Sequence, residues 1–351
     1  MSDRTASPAA GLIEGMPKAE LHMHLEGSLE PERMFALARR NRVALPWASV
    51  EQLRAAYHFP DLAAFLKLYY EGCKVLLGAE DFFELAWDYL QRAHAENVVH
   101  AEVFLSVQAN TRRGVPLAAM VDGVDAALKQ AHERFGMSCA LLLGMQRHYG
   151  ADDALATVEE ARPFRDRIAG IGLGGAELPY PPALFERAFA RARELGWYTM
   201  AHAGEEGPAS YVADAVDVLK VDRIDHGVRC EDDPALVRRL AELAIPLTVC
   251  PVSNVKLGVF GSMREHNIGR LLGAGLKVTV NSDDPSYFSA YMNENFRQVQ
   301  EAQGLGDTGL YILARNGFEA ALLPAAQKAR YIADLDRHWE RCGAARAAAV
   351  Q

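Results

Sequence analysis

Short apolar runs, several of them rich in β-branched residues, recur along the chain and alternate with longer segments of different periodicity. In chain order these runs are AELHMHL, VVHAEVFL, SCALLLGM, IAGIGLGG, YTMAHAGE, RIDHGV, PLTVCPVSN and KVTVNSDD. Nearly continuous hydrophobicity is typical of parallel strands that are buried on both faces. The segments between them, such as PPALFERAFARARELGW, space their apolar residues three and four apart, as amphipathic helices do. The alternation therefore predicts an α/β fold with eight strands.

Two architectures fit eight strands that alternate with helices: a closed TIM-like (β/α)8 barrel and a doubly wound open sheet. No GxGxxG motif follows the first predicted strand, as it would in a dinucleotide-binding open sheet. Polar residues instead collect after several strands, which is where barrel enzymes carry their active sites. We therefore predict a single (β/α)8 barrel domain over residues 1–351.

One connection is much longer than a simple crossover. Residues 29–97, between the first and second predicted strands, include PERMFALARRNRVALP and LAAFLKLYYEGCKVLL, which predict several helices. On a barrel this insertion would lie over the catalytic face and could cap a pocket as a lid. A packing subdomain without a catalytic part is the alternative. The Ala-rich tail, residues 343–351, is expected to fray.

Composition narrows the class of partner. The formal net charge of −9 offers no basic surface for nucleic acid, so a small-molecule substrate is expected. The five cysteines form no CxxC pair, which argues against a disulfide framework and against a thiolate zinc site. No run has the length of a signal peptide core or a membrane span. We expect a cytoplasmic protein that binds no membrane, and the sequence leaves association into a homo-oligomer open.

Candidate chemistry begins in AELHMHLEGSLEP. Side chains two residues apart on a strand point to the same side, so His22 and His24 would converge. Later strands end in AHAGEEG, DHG and NSDDP, which add His202, His226 and Asp283. A barrel brings the carboxyl ends of its strands to one rim, so these distant segments would become neighbours.

Three imidazoles and one carboxylate with room for a water form a hydrolytic zinc site. His22, His24, His202 and Asp283 supply this set, while Glu205 and His226 are the candidates for proton transfer. Taken singly, each residue has a simpler explanation as a hydrogen-bonded core histidine or a helix cap. Their joint placement at strand ends favours the metal. His148 follows the third strand, and for it a pocket role and a structural role are equally open.

Five motifs in order, PKAELHMHLEG, TMAHAGEEG, RIDHGVR, LTVCPVSNVKL and VTVNSDDPSYF, resemble those of the adenosine/adenine deaminase family across nearly the whole chain. The resemblance implies a barrel hydrolase with one Zn²⁺ per chain that replaces the 6-amino group of a purine with oxygen and releases ammonia. The four ligands named above match the ligands of the family.

The resemblance also implies roles for residues around the metal. Glu205 resembles the proton donor to purine N1, and His226 resembles the group that orients or deprotonates the attacking water. Asp284 resembles the residue that bonds N7, and Gly175 lies where family members offer a backbone amide to N3. Glu26 stands where members that act on nucleosides tend to carry a shorter aspartate, and it implies a substrate without a sugar.

The substrate expectation is adenine, converted to hypoxanthine in purine salvage. HAGEEGP and CPVSNVKL resemble the adenine deaminase branch, whereas FLSVQANTRRG and GLGGAELPYPP depart from it. Adenosine is therefore the second candidate and an N6-substituted purine the third. A binuclear amidohydrolase is disfavoured because IAGIGLGGAE lacks a bridging lysine, and the absence of PCxxC excludes a cytidine-type deaminase. A purine-binding barrel without catalysis is the rival of another class.

Overall fold

Eight parallel strands form one sheet in the computed structural model, which describes residues 10–349. The strands are β1 Lys18–His24, β2 Val98–Ser106, β3 Ser138–Gln146, β4 Gly170–Gly174, β5 Tyr198–Ala203, β6 Arg223–His226, β7 Leu247–Val249 and β8 Val278–Val280. Each strand pairs with the next one along the chain. A bridge between Met23 and Asp283 joins the last strand region to the first, where His24 N donates to Asp283 O at 2.8 Å. The predicted barrel is confirmed, and the open sheet is excluded.

Helices surround this sheet. They are α1 Ala10–Gly15, α2 Pro31–Asn41, α3 Val50–Ala55, α4 Leu62–Cys73, α5 Ala79–Ala95, α6 Val107–Thr111, α7 Leu117–Phe135, α8 Ala151–Ala161, α9 Glu186–Glu194, α10 Ala209–Asp217, α11 Pro234–Leu243, α12 Pro251–Lys256, α13 Ile268–Gly273, α14 Pro285–Phe288, α15 Met292–Gln303, α16 Asp307–Ala320 and α17 Ala325–Ala349. Within residues 10–349 no helix combines the length and the apolar character that crossing a membrane requires.

Every predicted run overlaps one of the strands; β1, β2 and β3 each extend one residue beyond their runs, and the later strands are shorter than theirs. In PLTVCPVSN the strand ends at Val249 and α12 begins at Pro251, because proline suits the first turn of a helix and lacks the N–H that a strand ladder uses. The run KVTVNSDD ends its strand at Val280, and Asp283 lies in the following turn with φ 64°. Site residues therefore sit just past the strands as well as on them.

The long β1–β2 connection contains helices α2 to α5, in agreement with the expected helical segment. Helix α4 lies over the carboxyl ends of the strands and contributes side chains to the cavity described below. At the other end of the chain, the tail expected to fray continues α17 as far as Ala349. Residues 350–351 of that tail lie outside the described residues.

Inside the barrel a small buried cluster supports the rim. Phe104, Leu142 and Met200 pack together, and the Phe104 ring centroid lies 5.7 Å from that of His22. Gly172 makes room for Phe104, since a Cβ at that glycine would stand 2.4 Å from the phenyl ring. The apolar interior thus ends directly against the polar cluster of the rim.

Candidate active site

Four side chains meet at the carboxyl ends of the strands. His22 and His24 lie on β1, His202 lies on β5, and Asp283 follows β8. His202 Nε2 lies 3.1 Å from His22 Nε2 and 3.2 Å from His24 Nε2. Asp283 Oδ1 lies 3.4 and 3.3 Å from the same two atoms. Ligand atoms about 2.0–2.2 Å from a tetrahedral ion stand about 3.3–3.6 Å apart, so this spacing fits a divalent metal.

Two of the imidazoles direct the lone pair of Nε2 at the common centre of the cluster, because of the groups that face their Nδ1 atoms. His22 Nδ1 faces the carbonyl oxygen of Thr248 at 3.1 Å, and a carbonyl can only accept. His202 Nδ1 lies 3.4 Å from Asp225 Oδ2. Both rings therefore carry their proton on Nδ1 and leave Nε2 free to bind a metal.

Electrostatics at the cluster favour a cation. Burial disfavours the protonated form of His24, yet Asp284 and Asp283 outweigh burial and raise the pKa of His24 to about 9. Burial lowers the pKa of His22 to about 4, so this ring is a neutral donor of its lone pair. A metal ion at the centre would take the place of the positive charge that these carboxylates attract.

A second set of potential ligand atoms overlaps the first and consists of His22, His226, Cys250 and Asp283. Burial raises the pKa of the Cys250 thiol well above its usual value, so the sulfur stays protonated. Only a thiolate binds a metal well. The set with three imidazoles and Asp283 is therefore the better metal site.

Two residues that hold the ligands were missed from the sequence. Asp225 on β6 lies opposite His202 on β5, and Thr248 Oγ1 donates to Asp225 Oδ1 at 2.8 Å. Ser253 Oγ donates to Asp283 Oδ2 at 2.6 Å. Asp225 stands next to His226 in the DHG motif, and the register of β5 with β6 is the signal that could have identified it. Ser253 had no comparable signal.

Glu205 lies beside the metal cluster in the position expected of a proton donor. It lines the cavity, and its Oε2 lies 3.6 Å from His226 Nε2. Burial, reinforced by Asp283 and Glu177, raises the pKa of Glu205 well above its usual value. The raised pKa favours the protonated form of this carboxyl, which is the form that a general acid requires. Burial lowers the pKa of His226 well below its usual value, so that ring is neutral.

The loop that carries Glu205 is held by a carboxylate that the sequence analysis did not identify. Glu177 accepts hydrogen bonds from four consecutive backbone N–H groups, those of residues 204–207, at 2.7–3.1 Å. Glu177 is 1% exposed. These bonds fix the backbone of Glu205 relative to β4 and β5. The position of Glu177 shortly after β4 was the only signal in the sequence for this role.

A cavity opens from the metal cluster towards solvent and measures roughly 570 Å³ when its mouth is counted. Polar groups of the rim form one side. The other side is formed by aromatic and aliphatic side chains, among them Leu62, Phe65, Leu66, Tyr69, Tyr70 and Phe104. A flat, largely apolar molecule with polar edges fits such a lining.

Asp284 and Gly175 both line the cavity. Burial and the neighbouring Asp283 raise the pKa of Asp284 well above its usual value, so this carboxyl can donate a hydrogen bond. Gly175 has φ 81°, a backbone conformation that favours glycine. A hydrogen-bond donor can therefore stand at both positions, the Asp284 carboxyl and the Gly175 backbone amide.

Glu26, which the sequence predicts to bind the substrate, is buried behind residues that line the cavity. Its carboxylate accepts from Ser106 N at 3.1 and 3.2 Å, from Asn110 Nδ2 at 2.8 Å and from Tyr69 Oη at 3.3 Å. Ser106 and Tyr69 line the cavity, whereas Glu26 stands behind them. Because its oxygens are occupied by these donors, Glu26 influences the cavity only through Ser106 and Tyr69.

His148 is half-buried outside the cavity lining. Its ring centroid lies 4.2 Å from that of Tyr149 and 5.7 Å from that of Tyr70, which does line the cavity. Its Nδ1 is the nearest atom to the space that a Cβ on Gly175 would occupy. His148 thus packs against cavity residues without facing the cavity itself.

Comparisons with known proteins agree with this site. Residues 17–338 match the family model described as adenosine deaminase. An adenine deaminase from Cupriavidus necator is 55% identical over 327 residues, which cover 93% of each chain. The structure of an adenine deaminase from Arthrobacter aurescens superposes with a TM-score of 0.91, 44% identity and coverage of 93% of this chain and 99% of that one. An amidohydrolase from Burkholderia ambifaria, solved with bound zinc, has a TM-score of 0.89 and 30% identity, covering 97% of each chain.

Proposed function

Because the chain belongs to the adenosine deaminase family and is a hydrolytic deaminase, we propose that it converts adenine to hypoxanthine and ammonia. The high identity to adenine deaminases over almost the whole chain supports this substrate. The observation that carries the proposal is the convergence of four metal-ligand atoms beside the buried carboxyl of Glu205 in one cavity. We propose Zn²⁺, one ion per chain, as the metal and purine salvage as the process served.

The reaction balances with water as the only other reactant. A water oxygen bonds to C6 of the purine, the bond between C6 and its amino nitrogen breaks, and the nitrogen leaves as ammonia. A divalent zinc ion at the cluster would lower the pKa of water from 15.7 to about 7 and so supply hydroxide at neutral pH. The residues around it must then hold the purine and move protons.

The residues of the cavity can divide this work. Burial favours the protonated form of Glu205, which can deliver a proton to N1 and so make C6 more electrophilic. Burial and the neighbouring Asp283 also favour the protonated form of Asp284, and in that form Asp284 can donate to N7, a hydrogen-bond acceptor. The Gly175 backbone amide lies at the cavity wall and is the candidate donor to N3. Donors to N1, N3 and N7 would contact three different sides of the base and fix its orientation relative to the reaction centre.

The test is a substrate panel with the zinc-loaded protein. Adenine, adenosine, deoxyadenosine and N6-methyladenine would each be followed by ammonia release and by the change in absorbance. We expect the highest kcat/KM with adenine. A higher value for adenosine would overturn the proposed substrate, and inactivity toward all four would support a barrel that only binds purines.

Metal analysis on the same preparation tests the cofactor. We expect one zinc ion per chain, loss of activity with a chelator, and recovery on adding zinc. Two tightly bound ions per chain would instead support a binuclear amidohydrolase, and full activity in metal-free protein would contradict the proposed site.

A further inference from the structure

A buried chain of hydrogen bonds runs from the backbone of helix α13 to His226. Ile268 N donates to His266 Nδ1 at 3.0 Å. His266 Nε2 lies 3.2 Å from Asn254 Oδ1, and Asn254 Nδ2 lies 3.2 Å from His226 Nδ1. The side chains of His266, Asn254 and His226 are at most 1% exposed. No role was assigned to Asn254 or His266 above.

One fixed donor sets the direction of every bond in this chain. A backbone N–H can only donate, so His266 Nδ1 accepts and the proton of the neutral ring is on Nε2. Burial lowers the pKa of His266 to about 3, which keeps the ring neutral. His266 Nε2–H then requires an acceptor, so Asn254 presents its oxygen to it. The amide NH₂ of Asn254 consequently faces His226 Nδ1.

The result at His226 is the opposite of that at the metal ligands. His22 has an acceptor at Nδ1, and the Asp225 carboxylate stands 3.4 Å from His202 Nδ1, so both rings favour the proton on Nδ1 and the lone pair on Nε2. His226 has a donor at Nδ1, which places its proton on Nε2. That Nε2 lies 3.8 Å from Asp283 Oδ2 and, among residues 10–349, has no hydrogen-bond partner. Its N–H is thus available on the side that lines the cavity.

We infer that Asn254 and His266 are positioning residues that hold His226 as its Nε2–H tautomer, so that His226 donates a hydrogen bond to the oxygen that adds to the purine. This tautomer cannot accept a proton at Nε2, so His226 is not the base that deprotonates the water. The tautomer follows from the hydrogen bonds alone, whereas its catalytic consequence rests on the proposed deamination.

The sharpest test is Asn254→Asp, which keeps the shape of the side chain and replaces the donor with an acceptor. A carboxylate between His266 and His226 would draw the His226 proton to Nδ1 and leave a lone pair on Nε2. We expect kcat to fall by about 10²–10³-fold, as for removal of one donor to a developing oxyanion. KM and zinc content should change little.

Nuclear magnetic resonance reads the tautomer without any substrate. Two-bond ¹⁵N–¹H spectra of zinc-loaded protein labelled at histidine distinguish the two neutral tautomers, and His226→Gln identifies the signals of His226. We expect Nε2–H in the unmodified protein and Nδ1–H in Asn254→Asp. An Nδ1–H signal in the unmodified protein would overturn the inference, whatever the substrate proves to be.

Two variants at His266 test the same inference if the Asn254 variant does not fold. His266→Gln can still present an N–H to the Asn254 oxygen, whereas His266→Phe cannot. We expect the glutamine variant to retain more of kcat than the phenylalanine variant at equal zinc content and equal melting temperature. Equal kcat in the two variants, or wild-type kcat in Asn254→Asp with its proton on Nδ1, would show that the chain serves packing alone.

Discussion

The two ends of the cavity are built in different ways. At the metal end, four side chains project from strands or strand ends, and buried groups of other segments hydrogen-bond to two of them, His22 and Asp283. At the helix-covered end, α4 contributes apolar and aromatic side chains that touch one another mainly through ring contacts. Substitutions should therefore have very different consequences at the two ends.

The difference follows from what each kind of contact tolerates. A buried ionisable group needs its partners, because an unpaired charge in the interior is strongly destabilising. An apolar wall tolerates substitutions that conserve volume, usually at less than about 1.5 kcal/mol. Loss of a group at the metal end should stop the chemistry, whereas changes at the helix-covered end should alter which purine fits.

The largest effect is expected for Asp283→Ala, which removes the carboxylate from the ligand set. Zinc content should fall. Loss of a hydrogen bond that supports a metal ligand costs roughly 10–100-fold in activity, and loss of the ligand itself should cost more. Metal analysis and an ammonia assay measure both. Asp232→Ala, on an exposed turn, is the matched control. A variant with full zinc content would show that Asp283 is not a ligand.

Glu205→Gln should separate metal binding from proton transfer. The amide keeps the shape but cannot give up a proton, so kcat should fall by about 10²–10⁴-fold while zinc content stays at one ion per chain. The neighbouring Glu206→Gln is the control and should retain activity, since Glu206 does not line the cavity. Near-normal kcat in Glu205→Gln would refute the acid role.

Asp225→Asn tests the support behind the ligands. The amide is a poorer acceptor for His202 Nδ1–H, so zinc affinity should fall by about 10–100-fold, and added zinc should restore much of the activity. Competition with a zinc indicator measures the affinity. Unchanged affinity would mean that the orientation of His202 does not depend on Asp225.

The smallest effect is expected at the helix-covered end, for Glu26→Asp. The shorter side chain would weaken the bonds to Ser106 and Asn110, at a cost of about 1–3 kcal/mol in unfolding free energy. Zinc content should not change, and the ratio of kcat/KM for adenosine to that for adenine should shift by less than tenfold. Glu80→Asp on the surface of α5 is the control. A change of specificity above a hundredfold would indicate that Glu26 contacts the substrate directly.

Much of this architecture was predictable. Apolar runs identified all eight strands, because a strand covered by helices on one side and packed in the barrel on the other must be apolar nearly throughout. Strand ends share one rim, so the ligand set followed from motifs such as HMH and NSDD. The contacts of Glu26 with Tyr69 and Ser106, both of which line the cavity, could not be predicted, because these residues lie 43 and 80 positions away along the chain.

The sequence by itself determined the barrel and the kinds of atom available at its rim. Only the tertiary structure decided which nitrogen of each imidazole carries the proton. The group that faces His22 Nδ1 belongs to Thr248, 226 residues away along the chain, and the group that faces His226 Nδ1 belongs to Asn254 on α12. An acceptor at Nδ1 makes the imidazole a metal ligand, whereas a donor at Nδ1 makes it a hydrogen-bond donor. The packing of distant segments decides which group faces Nδ1, and the local sequence around a histidine does not specify that packing.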